Sequence, residues 1–201
     1  MFLPKLREVK EALSSFFSKP YTTKFPMGPA YKPVATYRGF SRYDDNKCIG
    51  CGTCVQVCPA KAISLKDDKE KKLRIMTIDY KICMNCGQCE EKCITGDGIK
   101  LTTEYSFSTM NKNASEIFET VKKEIVVCEI CGEVIGCVDH LKWIRYKLGA
   151  KVYAHPNQLL FIQKQFFNVE PSEAKSRVRR EDYIKEVCPK CRYRVVVADE
   201  F

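Results

Sequence analysis

Two cysteine-rich stretches decide the fold of this 201-residue sequence: CIGCGTCVQVCP at residues 48–59 and CMNCGQCEEKCI at residues 83–94. Both have the spacing Cys-x2-Cys-x2-Cys-x3-Cys, and the second copy begins 35 residues after the first. A repeat of this kind predicts two copies of one small structural unit. Three thiolates in one tight loop, with a fourth at the start of a helix, are the ligands that a cubane 4Fe-4S cluster needs. The spacing therefore predicts two such clusters.

The fourth cysteine of each stretch is predicted to ligate the cluster of the other stretch, as in two-cluster proteins with this spacing. The first predicted ligand set, cluster site 1, consists of Cys48, Cys51, Cys54 and Cys93. The second set, cluster site 2, consists of Cys58, Cys83, Cys86 and Cys89. The competing interpretation, two structural zinc sites, fits poorly because tetrahedral zinc does not require four-cysteine runs at this spacing.

The two copies differ after their last cysteine. Pro59 follows Cys58 in the first copy. In the second copy Ile94 follows Cys93, and the segment 95–98 replaces a compact turn. The backbone after Cys93 is therefore less restrained than the backbone that proline fixes. We expect the cluster at site 1 to differ from the cluster at site 2 in reduction potential or solvent access.

A further group of cysteines lies beyond residue 106 in two Cys-x-x-Cys pairs. Two such pairs supply the four thiolates of a tetrahedral metal site, for which zinc is the first choice. The ligands predicted for zinc are Cys128, Cys131, Cys188 and Cys191. A mononuclear iron of the rubredoxin type uses the same ligands, and a pair without metal is the remaining alternative. The sequence assigns no role to three spare candidates, Cys137, His140 and His155.

Composition and charge limit the compartment and the partners. The 13 cysteines are odd in number and clustered. With no secretory signal recognised, they argue against a disulfide framework and for the reducing cytosol. The formal net charge of +9 falls to roughly +3 if two clusters and a zinc tetrathiolate each add roughly −2. That excess suits an acidic protein or an anionic membrane surface at least as well as nucleic acid. No run of 18 apolar residues occurs, so no spanning helix is expected.

The first 43 residues are predicted to form an amphipathic helix followed by an extended docking strap. Apolar residues recur at spacings of four and three across residues 1–19, with basic residues on the remaining surface. Such a helix suits a membrane surface, a partner's groove or the chain's own core. Prolines then disfavour helix through residue 43. The apolar stripe comprises Phe2, Leu6, Val9, Leu13 and Phe16, and the aromatic anchors of the strap are Tyr21, Phe25, Tyr31 and Tyr37.

Hydrophobic periodicity predicts a β-hairpin and two helices in the rest of the chain. β-prone segments around Ile63 and over residues 75–78 flank a charged hairpin tip. Past residue 106 the predicted elements are a helix over 138–148, a strand over 151–153 and a helix over 157–167. Because the composition changes near residue 106, the predicted domains are residues 1–43, residues 44–105 and residues 106–201.

The sequence contains no catalytic constellation. It has two histidines, and no nucleophile with a base, phosphate-binding loop or carboxylate pair stands out. We therefore expect no autonomous catalytic site, and a chain that passes electrons while other subunits perform the bond chemistry. A basic group near the C-terminus either receives an acidic ferredoxin or forms a solvated helix face. It consists of Lys175, Arg177, Arg179 and Arg180.

The cysteine repeat and its flanks resemble a known family. The flanking segments are residues 19–26 (KPYTTKFP), residues 37–39 (YRG) and Asp45. Over roughly residues 1–105 they resemble the twin-cluster ferredoxin-like subunit of respiratory complex I and of membrane-bound hydrogenases. The C-terminal cysteine pairs look like the extension of the formate hydrogenlyase and hydrogenase-4 members. The implied fold class is α+β: a pseudo-twofold 2×(4Fe-4S) ferredoxin-like domain with an N-terminal amphipathic helix and a C-terminal zinc-ribbon-like domain.

The resemblance implies an electron-transfer subunit that is peripheral on the cytoplasmic face of the cell membrane. Electrons would enter from ferredoxin or an upstream Fe-S subunit and leave toward the proximal cluster of a catalytic subunit. The complex would be of the hydrogenase, formate hydrogenlyase or sulfane sulfur reductase type. Its other subunits, including the membrane arm, are the implied partners, and the membrane surface is reached through them or through the N-terminal helix. No nucleic acid partner is implied.

Two other classes of protein stay open. A free soluble ferredoxin-type carrier with a structural zinc site would need neither the amphipathic helix nor the aromatic strap. A nucleic-acid-binding protein with structural metals would show steeply salt-dependent binding.

Overall fold

The computed structural model describes residues 5–22, 27–29, 31–106, 109–167 and 185–197. The chain divides into two compact units, residues 1–37 and residues 38–201. The helices are α1 (Leu6–Phe17), α2 (Thr53–Val57), α3 (Gln88–Glu91), α4 (Val138–Leu148), α5 (Pro156–Phe167) and α6 (Pro189–Val197). The strands are β1 (Ser41–Tyr43), β2 (Ile63–Asp68), β3 (Leu73–Asp79), β4 (Ile99–Leu101), β5 (Phe118–Val127) and β6 (Val134–Cys137).

The first unit contains the predicted amphipathic helix, which is confirmed as α1. The Glu8 carboxylate accepts a hydrogen bond from the backbone N–H of Lys5 at 3.0 Å, which pairs a free amide at the helix start. No residue of α1 is buried. Phe2 of the stripe and Phe25 of the strap lie outside the described residues. Nowhere in the described ranges is a helix long and apolar enough to cross a membrane.

The second unit contains the sequence repeat as two matching loops, one before α2 and one before α3. Each of these short helices begins directly after a glycine in the left-handed conformation. Gly52 has a φ of 78° and Gly87 a φ of 83°, values at which residues with a Cβ are strained. Strands β1 and β2 flank the first loop, and β3 and β4 flank the second. The two copies therefore share one local architecture.

The strands of the two copies pair crosswise. β1 pairs antiparallel with β4, and β2 pairs antiparallel with β3. Ile63 at the start of β2 lies opposite Ile78 near the end of β3. The residues just before β2 are therefore neighbours of the residues just after β3. Cys58 lies in the former segment and Cys83 in the latter, so the end of the first cysteine stretch meets the start of the second.

Strand β5 extends the sheet beyond the repeat. It pairs antiparallel with β3, from Glu124 opposite Leu73 to Phe118 opposite Asp79, and it also pairs with β6. The sheet order is β2-β3-β5-β6. This sheet runs across residue 106, where the change in composition suggested a domain boundary.

Most of the elements predicted from periodicity are confirmed. The hairpin is β2 and β3, and the two later helices are α4 and α5. The strand predicted over residues 151–153 is wrong, because these residues lie in a 3-10 turn, Gly149–Ala154. A strand needs a pairing partner, and this short connection between α4 and α5 instead turns to bury Val152, which is 1% exposed.

One apolar core supports both loops. Met76 and Ile78 on β3 and Val121 on β5 are at most 1% exposed. The same core contains or contacts six of the eight predicted 4Fe-4S ligands: Cys48, Cys54, Cys58, Cys83, Cys89 and Cys93. Both predicted cluster sites are therefore shielded from water on the side of the sheet.

Candidate metal centres

Cluster site 2 is a small cavity between the two copies of the repeat. It is lined by all four thiols predicted for this site: Cys58, Cys83, Cys86 and Cys89. Ile63 and Leu101 contribute apolar wall. The backbone N–H of Ala62 donates a hydrogen bond to the Sγ of Cys58 at 3.2 Å. Four thiols around one shielded space are a donor set that fits a 4Fe-4S cluster.

Cluster site 1 brings Cys93 beside the first loop. Gly98 lies between Cys93 and Cys48 of the first loop. A Cβ on Gly98 would be 3.1 Å from the Cα of Cys48 and 3.3 Å from the Sγ of Cys93. The Oγ1 of Thr95 lies 3.2 Å from the Cys93 Sγ. The last cysteine of the second stretch thus lies next to the first cysteine of the first stretch. That both sets of four ligate clusters stays a prediction.

The predicted cluster ligands differ from one another in their electrostatic surroundings, even within site 1. Burial raises the pKa of Cys54 and of Cys89 to about 11. Burial also acts on Cys93, but hydrogen bonds from Thr95 and from the backbone N–H of Gly98 hold the pKa of Cys93 below its ordinary value. Because iron binds thiolates, metal binding must displace the protons of the buried thiols. The turn that follows Cys93 thus stabilises one thiolate of site 1.

Gly50, in the first loop, is expected not to tolerate alanine. Its φ is 68°, and an added Cβ would lie 2.6 Å from the Sγ of Cys137 and 3.1 Å from the Cβ of Lys123. The backbone strain costs about 1–2 kcal/mol, and the overlap adds about 1–3 kcal/mol. We expect Gly50→Ala to displace the loop and to lower the iron content of anaerobically purified protein.

Gly96→Ala is the matched control for this substitution. Gly96 has a φ of 80°, and no atom lies within 4 Å of its added Cβ. The control therefore introduces the backbone strain without the overlap and is expected to retain more iron than Gly50→Ala. Equal iron contents in the two variants would contradict the steric argument.

The two C-terminal cysteine pairs meet at a single site. The Sγ atoms of its four members lie within 4.8 Å of one another: Cys128, Cys131, Cys188 and Cys191. The Sγ atoms of Cys131 and Cys188 are 3.6 Å apart. Tetrahedral Zn–S bonds of about 2.3 Å place sulfurs roughly 3.8 Å apart. The arrangement fits a tetrahedral metal ion, and we call it the tetrathiolate site.

Hydrogen bonds favour the thiolate form of one member of the tetrathiolate site, Cys128. Burial raises the pKa of Cys128, but backbone N–H groups of Cys131, Cys188 and Ile130 outweigh it and bring this pKa to about 7. A thiolate is therefore accessible near neutral pH. Three of the four cysteines are buried and Cys131 is exposed, so the site lies at the surface with one ligand toward solvent.

Among the described residues, none of the three spare candidates belongs to the tetrathiolate site. Cys137 is instead buried against the first loop, and its Sγ donates a hydrogen bond to the carbonyl of Gly50 at 3.2 Å. Burial lowers the pKa of His140, which favours its neutral imidazole. The backbone N–H of His155 pairs with Val152 at the end of the 3-10 turn. The predicted basic docking group lies outside the described residues: Lys175, Arg177, Arg179 and Arg180.

Two charged residues outside every sequence motif contact the first loop. Lys123 on β5 donates a hydrogen bond to the carbonyl of Asp45, and Arg74 on β3 donates to the carbonyl of Gly50. The alternation of β5 places Lys123 on the inward face with Val121. A lysine at an inward position of an alternating strand was the available signal in the sequence.

Comparisons with known proteins define the family. Residues 47–96 match the family described as the 4Fe-4S dicluster domain. A protein named NADH-quinone oxidoreductase subunit I 2, from Geobacter metallireducens, is 31% identical over 134 residues, which cover 63% of this chain and 98% of that protein. This chain belongs to the NADH-quinone oxidoreductase subunit I family. The predicted resemblance to complex I, the α+β fold class and the binding of 4Fe-4S clusters are thereby confirmed.

Other similar proteins are matched over shorter spans. NAD(P)H-quinone oxidoreductase subunit I of Gloeobacter violaceus is 33% identical over 100 residues, 47% of each chain, so the match spans about half of that relative. A chain of the membrane-bound sulfane sulfur reductase, an archaeal respiratory membrane complex, is 33% identical with a TM-score of 0.41, over 55% of this chain and 59% of that chain.

Proposed function

We propose that this chain is the electron-transfer subunit of a membrane-bound complex-I-like oxidoreductase and that it binds two 4Fe-4S clusters and one zinc ion. The observation that carries the proposal is the crosswise strand pairing, which gathers Cys58 with the three cysteines of the other stretch around one cavity. Membership in the subunit I family supports the role, since the relatives are named as subunits of quinone oxidoreductases.

The residues of the chain bind the clusters and exclude water from them. A 4Fe-4S cluster supplies one-electron chemistry when bound. Cys48 and Cys54 of site 1 are each 8% exposed, and Ile63 beside site 2 is 5% exposed. Low solvent access is one of the factors that set the reduction potential. Because the ligand sets are crossed, each loop contributes to both sites and the two sites are positioned together.

In this proposal, electrons enter from ferredoxin or an upstream Fe-S subunit and leave toward the proximal cluster of a catalytic subunit. Exposed apolar side chains next to the ligands support direct docking of partners. Ile82 and Met84 flank Cys83 and are 52% and 65% exposed, and Ile94 follows Cys93 and is 41% exposed. Apolar residues at such positions bury favourably against a partner protein. The proposed location is the cytoplasmic face of the membrane, among the other subunits.

The tetrathiolate site is proposed to hold zinc in a structural role. Its four thiols come from the turn between β5 and β6 and from the start of α6. A metal ion there would fix α6 to the sheet without taking part in electron transfer. Four protein thiolates fill the tetrahedral shell of zinc, which is typical of structural and not of catalytic sites.

The test of the proposed function is affinity purification of the tagged full chain from solubilised native membranes under anaerobic conditions. Mass spectrometry of the companions is expected to find a nickel-iron-hydrogenase-like catalytic subunit and antiporter-like membrane subunits. Recovery of the chain alone from the soluble fraction would contradict the proposal and favour a free ferredoxin-type carrier.

A further inference from the structure

The first loop is held by a buried cation. The Nζ of Lys123 donates hydrogen bonds to the backbone carbonyl of Asp45 and, at 3.2 Å, to the Oδ2 of Asp139. The Lys123 side chain is only 10% exposed. Burying an ammonium group costs free energy that pairing and hydrogen bonds must offset. A methylene chain of the same length would pack without that cost, so packing alone does not account for a lysine at this position.

Lys123 belongs to a row of charged residues across the sheet. Asp67 on β2 lies opposite Arg74 on β3, which in turn lies opposite Lys123 on β5. Residues directly opposite each other share one face of a sheet. Arg74 donates two hydrogen bonds to Asp67, at 2.7 and 2.8 Å, and a third to the carbonyl of Gly50 at 2.9 Å. Both cations therefore reach the same loop.

The loop that they contact, residues 45–51, carries two predicted ligands of site 1, Cys48 and Cys51. Lys123 also packs against Gly50, which lies between these two cysteines and next to Cys51, since a Cβ on Gly50 would lie 3.1 Å from the Cβ of Lys123. The buried charge therefore lies beside the segment that carries the two ligands. Strand β5, which supplies Lys123, lies beyond the cysteine repeat.

The second loop has a different kind of neighbour. Its Cys86 carbonyl accepts a hydrogen bond at 3.2 Å from the Nη1 of Arg38, an exposed residue. Water and salt screen an exposed charge much more than a buried one. A charge at the position of Lys123 therefore acts more strongly on its loop than the charge of Arg38 acts on the second loop.

We propose that Lys123 raises the reduction potential of the cluster bound at site 1 relative to the cluster at site 2, so that β5 tunes electron transfer. The inference rests on the proposed function, because it takes the site 1 cysteines as cluster ligands. Reduction adds one negative charge to a cluster, and a nearby buried cation stabilises that charge. Asp139 partly offsets the effect, because its carboxylate pairs with the same ammonium group. Lys123 thereby acts through its charge as a positioning and tuning residue.

The test is a potentiometric titration of the full chain with its clusters bound, followed by EPR spectroscopy. The site 1 signal is identified as the one that Cys51→Ser removes. Lys123→Met keeps an unbranched side chain and removes the charge. At a fixed potential it is expected to shift the ratio of reduced to oxidised site 1 cluster about tenfold toward the oxidised form, which is about 59 mV for a one-electron couple. The site 2 signal is expected to keep its potential.

Two control variants separate charge at this position from other effects. Lys122→Met removes the same charge from the exposed, opposite face of β5, and Lys123→Arg keeps the charge. Both are expected to leave the site 1 ratio within about twofold of the unmodified chain, because screening weakens the first effect and the second preserves the cation.

Asp139→Asn is expected to shift the site 1 potential in the opposite direction. It removes the carboxylate that offsets Lys123, so the site 1 potential is expected to rise. A loop that is merely loosened would not give opposite shifts in Asp139→Asn and Lys123→Met. If Lys123→Met fails to assemble the cluster, the test rests on Asp139→Asn. A reduction potential that rises at site 1 and not at site 2 then supports the proposal.

Three results would overturn the inference. The first is a site 1 potential that shifts equally in Lys123→Met and in Lys122→Met. The second is a Lys123→Met variant in which the potentials of both sites shift equally. The third is an unchanged or lowered site 1 potential in Asp139→Asn. The unmodified chain tests the proposed function separately. If the unmodified chain shows no 4Fe-4S signal at all, the proposed function fails. If the unmodified chain shows both signals but Lys123→Met does not selectively shift the site 1 potential, only the role of Lys123 fails.

Discussion

Replacing Cys58 with serine is expected to remove the cluster that is also lost in Cys86→Ser, and to lower the iron content from about eight to about four atoms per chain. Iron-sulfur clusters select soft thiolate ligands, which a serine hydroxyl does not replace. Cys58 belongs by sequence to the first stretch, but it lines the same cavity as Cys86 of the second. The substitution therefore distinguishes crossed ligand sets from uncrossed ones.

EPR spectra of the reduced variants make the distinction directly. The cluster that remains in Cys58→Ser is expected to match the one that remains in Cys86→Ser and to differ from the one in Cys51→Ser. Cys137→Ser is the control, since Cys137 is a buried cysteine outside both ligand sets, and it is expected to retain all the iron. If Cys58→Ser instead gave the spectrum of Cys51→Ser, the ligand sets would not be crossed.

The local features of this fold could be predicted from the sequence. Cysteine spacing is a local property, and it predicted the loops because three ligands of one cluster come from a single short segment. The hairpin between Ile63 and Ile78 was equally local, with β-prone segments on either side of a charged turn. Helix α4 was predicted from its periodicity and from Gly149, which follows its last residue.

Non-local pairing was beyond the reach of sequence patterns. Strand β5 lies after the change in composition near residue 106, yet it pairs with β3 over seven residues. Its alternation indicates a half-buried strand without saying which strand it joins. The contact of Lys123 with Asp45 depends on that pairing and could not be foreseen. The prediction of a strand over residues 151–153 was wrong for a related reason. A segment of three residues is too short for its pattern to distinguish a strand from a tight turn.

Replacing Cys131 with serine is expected to remove the zinc ion from the tetrathiolate site. The unmodified chain is expected to contain about eight iron atoms and about one zinc ion, and the variant about eight iron atoms and almost no zinc. Cys131 is the exposed member of the site, so serine at this position changes core packing little. Any large effect of the substitution therefore reports on the metal.

Loss of the metal is expected to release α6 while the 4Fe-4S sites remain. The turn at Cys188 and Cys191 packs in a small apolar cluster with Val187 and Cys128, separate from the main core. Structural zinc contributes about 10–16 kcal/mol of binding free energy in zinc-finger peptides, far more than such a small cluster can replace. Hydrogen exchange is expected to become at least about tenfold faster in α6 of the variant, and to stay unchanged in β3.

Lys190→Ser is the matched control, because Lys190 is exposed and lies between two of the ligands. It is expected to keep its zinc and the slow exchange of α6. A count of about nine iron atoms and no zinc in the unmodified chain would show a mononuclear iron at the site instead. If Cys131→Ser retained its zinc and the hydrogen exchange of α6 stayed unchanged, the tetrathiolate site would not be what holds α6. Because no predicted ligand of the two cluster sites lies beyond Cys93, their iron content separates a local loss of metal from general unfolding.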